Sequence, residues 1–216
     1  MIKKNSFKRL FAICGTMLFC ISLANLTEAE SDNNTGVAQD PPSIEIPLKR
    51  QTSCEKADWK KVSIARIAMS KVGSSYSDDK TPYNNYNGKQ WCASFAIWVY
   101  NKSGREVPKY LSNSRELLEW FSAQHKKYPN KIYTFTDPSQ LYPGDIVVWK
   151  KVGSSYRGHT GVVVSVDPCA NNGKGRVSVV EGNVAVNSVK RYDYTMRTIK
   201  NRDSVNFKLY GFGRWR

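Results

Sequence analysis

The chain has 216 residues, which allows one domain of ordinary size with extensions. Its 33 Lys and Arg against 18 Asp and Glu give a formal net charge of +15, which favours an anionic partner such as an acidic membrane or a cell-wall polymer. No RNA- or DNA-binding motif occurs, so nucleic acid is not expected, and a generally basic, soluble surface stays the alternative.

Residues 1–29 have the pattern of a secretory signal peptide. Four basic residues precede an apolar run from Leu10 to Leu23, and small-residue cleavage sites follow at Ala29 or, as a second option, at Ala24. An uncleaved anchor is the alternative, but a membrane span favours about 18 or more apolar residues. We expect a secreted or periplasmic protein, cleaved near Ala29, with no stable membrane anchor and a net charge of +12.

Three cysteines remain after this cleavage: Cys54, Cys92 and Cys169. Residues 30–52 are rich in Asp, Asn, Pro and Ser and predict a flexible leader, so the folded domain would cover residues 53–216. An odd number of cysteines in an oxidising compartment indicates one pair and one free thiol. Because Cys54 opens the domain and Cys169 lies in a loop, we predict a Cys54–Cys169 disulfide and a reduced Cys92.

Three helices are predicted in the first half of the domain. Apolar residues at three- and four-residue steps from Trp59 to Val72 indicate an amphipathic helix that ends near Gly73. The apolar segment Gln90–Tyr100 follows a polar loop and predicts a buried second helix. A third begins at Asn113, with Glu116 as its capping-box partner.

Cys92 stands near the predicted start of the second helix. The positive end of the helix dipole favours a thiolate there, which suits a nucleophile. A small, buried apolar side chain is an equally good interpretation of this stretch alone.

Short β-branched runs dominate the second half of the domain. They cover residues 146–149, 160–166, 176–181, 184–189 and 206–212. Helices followed by strands predict an α+β fold in which N-terminal helices pack on a C-terminal antiparallel β-sheet.

His159 and Glu181 are the residues that would complete a catalytic site with Cys92. His159 stands at the start of one predicted strand, and Glu181 and Asn183 end another. If the two strands pair antiparallel, the Glu181 carboxylate returns beside His159 and orients its imidazole as a base. His125, the other histidine, is expected on the surface. No HExxH, paired CxxC or GxSxG motif occurs, so no metal, cofactor or serine nucleophile is predicted.

Four pieces of sequence in a fixed order carry a resemblance to a known family. They are Trp91–Phe95, Pro143–Trp149, Gly158–Val163 and Val180–Asn183. Together they resemble the CHAP family, the cysteine, histidine-dependent amidohydrolase/peptidase group of the NlpC/P60 superfamily. The resemblance implies a papain-like fold, a peptidoglycan substrate, Cys92 as nucleophile, His159 as base and Glu181 as its orienting residue. Asn183 matches a fourth polar position that is often counted with the triad.

Several other residues are weaker candidates. Gln90 could stabilise an oxyanion with the Cys92 backbone N–H, or it could be a polar loop residue. Tyr86 and Tyr156 lie in loops expected to flank the cleft, where substrate could stack on them. Trp91 is a further weak candidate for substrate binding, although we expect it to pack within the protein and not to contact substrate.

The sequence favours a secreted cysteine amidase or endopeptidase that acts on peptidoglycan as a monomer. One alternative is a cell-wall-binding or toxin-like module whose cleft binds without cutting. Another is a cysteine hydrolase of protein or small-amide substrates, because no wall-targeting repeat is present.

Overall fold

The computed structural model describes residues 54, 60, 62–75, 83, 91–111, 113–185, 187–202 and 206–216. The signal peptide and the leader predicted for residues 1–52 lie outside the described residues, and the domain boundaries stay predictions.

Three helices form where the sequence predicts them: α1 (Ser63–Met69), α2 (Cys92–Lys102) and α3 (Ser114–Lys127). The described part of α1 is shorter than expected, and it ends before Gly73, whose φ is +90°. The side chain of Asn113 caps α3 by accepting hydrogen bonds from the backbone N–H groups of Arg115 and Glu116. None of the helices in these ranges is long and apolar enough to cross a bilayer.

A six-stranded sheet follows. Its strands are β1 (Ile132–Phe135), β2 (Ile146–Lys151), β3 (Gly158–Asp167), β4 (Arg176–Val184), β5 (Ser188–Tyr194) and β6 (Phe207–Trp215). The spatial order is β1-β6-β2-β3-β4-β5, and every neighbouring pair is antiparallel. The predicted α+β class, with helices packed on an antiparallel sheet, is confirmed.

The strand predictions fail in two places. Strand β1 is not predicted, and the strand predicted over residues 184–189 is not one strand: it covers the end of β4, the residues between the strands and the first two residues of β5. Asn183, at the end of β4, and Ala185 and Asn187, between β4 and β5, have positive φ angles. Val184 and Val189 are both buried, but they lie on the two different strands of a hairpin. Their apolar character therefore does not mark one continuous strand.

Both faces of the sheet are buried. Along β2, Ile146 and Val148 pack in the cluster that includes the helices, whereas Val147 and Trp149 pack in a second cluster. Because side chains alternate along a strand, continuous β-branched runs suit a sheet covered on both sides.

The turn Pro143–Asp145 ties the helices to the sheet. Gly144 donates its N–H to the carbonyl of Val163, and Val163 donates to the carbonyl of Asp145, both at 2.7 Å. The hydroxyl of Tyr100 in α2 donates to the Gly144 carbonyl at 2.7 Å. The Arg214 guanidinium donates two hydrogen bonds to the Asp145 carboxylate, at 2.7 and 2.8 Å. The turn therefore joins α2, β2, β3 and β6.

A disulfide joins Cys54 to Cys169, with 5.2 Å between the Cα atoms, and Cys92 is free and buried. Both parts of the cysteine prediction are confirmed. The bond links two positions 115 residues apart in sequence.

Candidate active site

Cys92 is the first residue of α2 and is only 4% exposed. The backbone amides of Ala93, in the first turn of α2, and of Thr160, in β3, act as hydrogen-bond donors that lower the pKa of its thiol. The first N–H groups of a helix have no acceptor within it and attract negative charge. This position therefore suits a thiolate, as the sequence predicts.

His159 lies on β3 and is held on two sides. Its Nε2 is 2.8 Å from Oε2 of Glu181, on the neighbouring strand β4. The imidazole stacks on Trp149, with 6.0 Å between ring centroids, and meets the edge of Phe207 at 6.5 Å. Because Nε2 donates to the carboxylate, Nδ1 is the nitrogen left for the hydrogen bond with Cys92.

The electrostatics of this site favour a thiolate–imidazolium pair. Burial raises the pKa of the Cys92 thiol, but the hydrogen bond and charge of His159, with the amides of Thr160 and Ala93, bring it below its usual value. Burial lowers the pKa of His159, yet its bonds to Cys92 and Glu181 raise it to about 9. Both shifts favour the ionised pair, and with a pKa of about 9 His159 carries a proton near neutral pH.

Glu181 is fully buried and accepts hydrogen bonds from two residues besides His159. The Tyr194 hydroxyl donates to Oε1 at 2.6 Å, and Nε of Arg202 donates to Oε2 at 2.9 Å. Burial raises the pKa of Glu181, but His159 and Arg202 outweigh it and the pKa lies below its usual value. Tyr194 and Arg202 are not predicted from the sequence, because no local motif marks residues that reach the site from β5 and the segment before β6.

Gly182 allows β4 to approach the start of α2. A Cβ at this position would lie 2.7 Å from Cβ of Phe95 and from Cζ3 of Trp91. Real Cβ atoms essentially never come this close to another heavy atom. The absence of a side chain therefore brings the strand of Glu181 against the helix of Cys92.

A cleft of about 310 Å³ opens beside these residues. Its walls include Cys92, His159, Asn183, Tyr192, Arg202 and Phe207. Substrate can therefore reach the sulfur and the imidazole from one side, while Glu181 stays buried behind them.

The remaining candidates have different outcomes. Asn183 lines the cleft from the end of β4 with φ of +61°, a conformation that Asn tolerates, and its catalytic role stays a prediction. Gln90 and Tyr86 lie outside the described residues. Tyr156 is 61% exposed and is not among the cleft residues described, so its contact with substrate stays a prediction. Trp91 is 2% exposed and stacks on Tyr83, so its burial supports packing and not the substrate contact.

His125 is not the solvated side chain that the sequence suggests. It is partly buried, and its Nδ1 contacts the carbonyl oxygen of Ile132. Within the described ranges, no group of three or more His, Cys, Asp or Glu side chains is arranged to hold a metal ion.

A helix-borne cysteine, a strand-borne histidine and a carboxylate behind it define the class of cysteine hydrolases with a papain-like arrangement. The model of the CHAP domain family matches residues 82–183, which contain Cys92, His159, Glu181 and Asn183. This segment of the chain is a CHAP domain, and the resemblance predicted from sequence is confirmed. CHAP domains are in general cysteine- and histidine-dependent amidohydrolases. No curated protein and no solved structure matches the chain significantly.

Proposed function

We propose that this protein is a secreted cysteine hydrolase that cleaves an amide bond of bacterial peptidoglycan, as an amidase or endopeptidase. The observation that carries the proposal is the position of His159: its Nε2 lies 2.8 Å from the Glu181 carboxylate, and it lines the same cleft as Cys92, whose thiol pKa it lowers. A module that only binds its ligand has no need of an ionised thiol paired with an imidazolium.

The reaction follows from the protonation states of the pair. The Cys92 thiolate attacks the amide carbonyl carbon, and a C–S bond forms as the carbonyl oxygen takes the negative charge. When the tetrahedral species collapses, the C–N bond breaks and the His159 imidazolium gives its proton to the leaving amine. The product of this half is a thioester on Cys92.

The second half uses His159 as a base. The neutral imidazole takes a proton from water, whose oxygen attacks the thioester carbon, and the C–S bond breaks to return the thiolate. The backbone N–H of Cys92, at the start of α2, is a candidate donor to the oxyanion in both halves. Gln90 remains the proposed second donor.

Three features support peptidoglycan as the substrate. The CHAP family suggests it. The net charge of +15 favours an anionic wall polymer as partner. The pattern of residues 1–29 would deliver the chain to the periplasm or the exterior, where such polymers lie.

Digestion of purified sacculi tests the proposal. Wild-type protein, Cys92→Ala and a surface control, Tyr110→Phe, are incubated under reducing conditions with sacculi of several chemotypes, and released fragments are identified by mass spectrometry. Tyr110 is 80% exposed, so its change should leave the rate unaltered. We expect new amine and carboxyl ends with the wild type and the control only.

Two outcomes would overturn the proposal. Equal digestion by Cys92→Ala would remove Cys92 as the nucleophile. If no fragments are released from any chemotype, the substrate would instead be a protein or a small amide, or the protein would be a module that binds without cutting.

The signal peptide is tested by N-terminal sequencing of protein recovered from the medium or the periplasm. We expect an N-terminus near residue 30.

A further inference from the structure

The buried site around Glu181 holds more negative charge than the triad can balance. In the reactive state, the thiolate and the carboxylate each carry −1 and the His159 imidazolium carries +1, so these three groups leave −1. Glu181 is 0% exposed and Cys92 is 4% exposed. An uncompensated charge in such a place is costly, and proteins balance it with a partner.

Arg202 lies where that balance is needed. Its Nε is 2.9 Å from Oε2 of Glu181, the same oxygen that contacts His159, and its side chain is 13% exposed. Arg keeps its charge at every pH at which a protein folds. With Arg202 counted, the four charged groups sum to zero.

The position of Arg202 is fixed by the residues that also position His159. Trp149 stacks on His159 and donates its indole N–H to the carbonyl of Ile199 at 2.6 Å, which anchors the short 3-10 helix Thr198–Lys200. The Arg202 guanidinium then lies over Trp149, at 5.9 Å from the ring centroid, and over Phe207, at 5.6 Å. Such contacts stabilise a cation beside aromatic faces.

Other elements bring few charges to Glu181. Strand β3 contributes His159, β5 contributes the Tyr194 hydroxyl, and α2 contributes Cys92 beyond the imidazole. Lys190 is opposite Glu181 in the register of β4 and β5, but it is exposed and forms no ion pair with Glu181 in the described part of the chain. Arg202 is therefore the permanent cation that contacts this carboxylate.

We propose that Arg202 is a positioning residue of the hydrolase: it neutralises the reactive ionisation state and, with Tyr194, fixes the Glu181 carboxylate so that Oε2 faces His159. This inference rests on the proposed Cys92–His159 chemistry. It does not depend on peptidoglycan as the substrate.

Loss of Arg202 should shift the ionisation of Cys92 and of His159 in the same direction, to higher pH. Without the cation, the buried carboxylate protonates more readily and a thiolate in the same site is less stable, so thiolate formation needs a higher pH. The uncompensated carboxylate also holds the imidazolium proton more tightly, so the histidine loses it at higher pH. The acid and alkaline limbs of the pH–activity profile therefore both move to higher pH. A substitution that only disordered the site would lower the maximum activity without moving either limb.

Alkylation of Cys92 by iodoacetamide between pH 4 and 10 measures the acid limb without any substrate. The full chain is used, and mass spectrometry of the Cys92 peptide separates its reaction from that of other cysteines. The variants are Arg202→Gln, Arg202→Lys and Tyr194→Phe. Arg197→Gln is the matched control, because it removes one exposed positive charge from the same segment.

We expect Arg202→Gln to move the alkylation midpoint to higher pH and to slow alkylation at pH 6 about tenfold, as a rise of one unit in the apparent pKa would. Arg202→Lys should restore part of the shift, and Tyr194→Phe should give a smaller shift of the same sign. Arg197→Gln should match the wild type. In a Glu181→Gln background, the effect of Arg202→Gln should shrink, because the two act through one carboxylate.

Two results would overturn the proposal. One is a midpoint unchanged in Arg202→Gln while near-UV circular dichroism shows an intact fold. The other is an equal shift in Arg197→Gln, which would make the effect one of overall charge and not of the contact with Glu181. Because alkylation reports on Cys92 directly, either result is distinct from a failure to digest cell wall.

Discussion

Gly161 on β3 is directly opposite Glu181 on β4, and the missing side chain of the glycine leaves the space that the Glu181 side chain fills. A Cβ at Gly161 would lie 2.8 Å from Cγ of Glu181 and 2.5 Å from Cγ1 of Val179. The glycine stands two residues after His159. The Gly158–Gly161 motif therefore places the histidine and also leaves room for the carboxylate that orients it.

Replacing Gly161 with Ala should damage both folding and catalysis. Overpacking of this kind costs about 1–3 kcal/mol of unfolding free energy, which urea denaturation measures. We expect kcat/KM to fall at least about tenfold, since displacement of Glu181 weakens the orientation of His159.

The double variant Gly161→Ala/Val179→Ala separates the two effects. It relieves the Val179 contact but leaves the contacts with Glu181 and with the Val180 carbonyl, at 3.0 Å. Part of the stability should return while the activity stays low. Full recovery of activity would show that Gly161 serves packing alone.

The pH dependence of kcat/KM should be bell-shaped. The acid limb reports protonation of Cys92 and should lie below the usual range of a thiol, because the pKa of Cys92 is lowered. The alkaline limb should fall near pH 9, where His159 loses the proton that the leaving amine needs. Glu181→Gln removes the charge that holds this proton, so the alkaline limb should move to lower pH. An unmoved limb in Glu181→Gln would contradict the arrangement.

The same histidine links stability to pH. Its pKa is raised from 6.5 to about 9 in the folded protein, so its contribution to stability is fully present below pH 6.5 and is lost as the pH rises through about 9. Urea denaturation of wild type and His159→Gln between pH 6 and 10 should show their difference in unfolding free energy change over this window. A constant difference would count against a protonated His159.

Removal of the Cys54–Cys169 bond should lower stability without affecting the nucleophile. The bond spans 115 residues of sequence, and loss of a native disulfide typically costs about 2–5 kcal/mol. The variant Cys54→Ser/Cys169→Ser should unfold at lower urea concentration. Its rate of Cys92 alkylation under native conditions should equal that of the wild type, and a large drop would show that the bond shapes the active site.

The Asp145–Arg214 pair should be costly to break from either side. Burial raises the pKa of Asp145 more than the Arg214 guanidinium lowers it, so the buried carboxylate charge is costly even beside its partner. Asp145→Asn leaves a buried guanidinium without its counter-charge and should cost about 3–5 kcal/mol. Asp145→Asn/Arg214→Met should cost less than the sum of the single changes in urea denaturation. Strict additivity would mean that the two residues act independently.

Most of the correct helix and strand predictions rest on local sequence patterns. The turn formers and the glycine around the Cys92 segment define α2, and Asn113 marks the start of α3 as its cap. The valine runs of β2 to β4 identify strands, since both faces of the sheet are buried. The valines near the β4–β5 turn misled the prediction because apolar character reports burial and not which arm of a hairpin a residue lies on.

The sequence by itself determined the fold class, the cysteine pairing and the Cys92–His159–Glu181 set, because each is marked by residue type, spacing or order along the chain. Only the tertiary structure decided that Tyr194 and Arg202 bind the buried carboxylate, and that Gly161 and Gly182 make the close approaches possible. These contacts join strands, a helix and the segment that follows the 3-10 helix, which are distant in sequence. Local propensity contains no information on such distances, which depend on strand register and on the packing of the helices against the sheet.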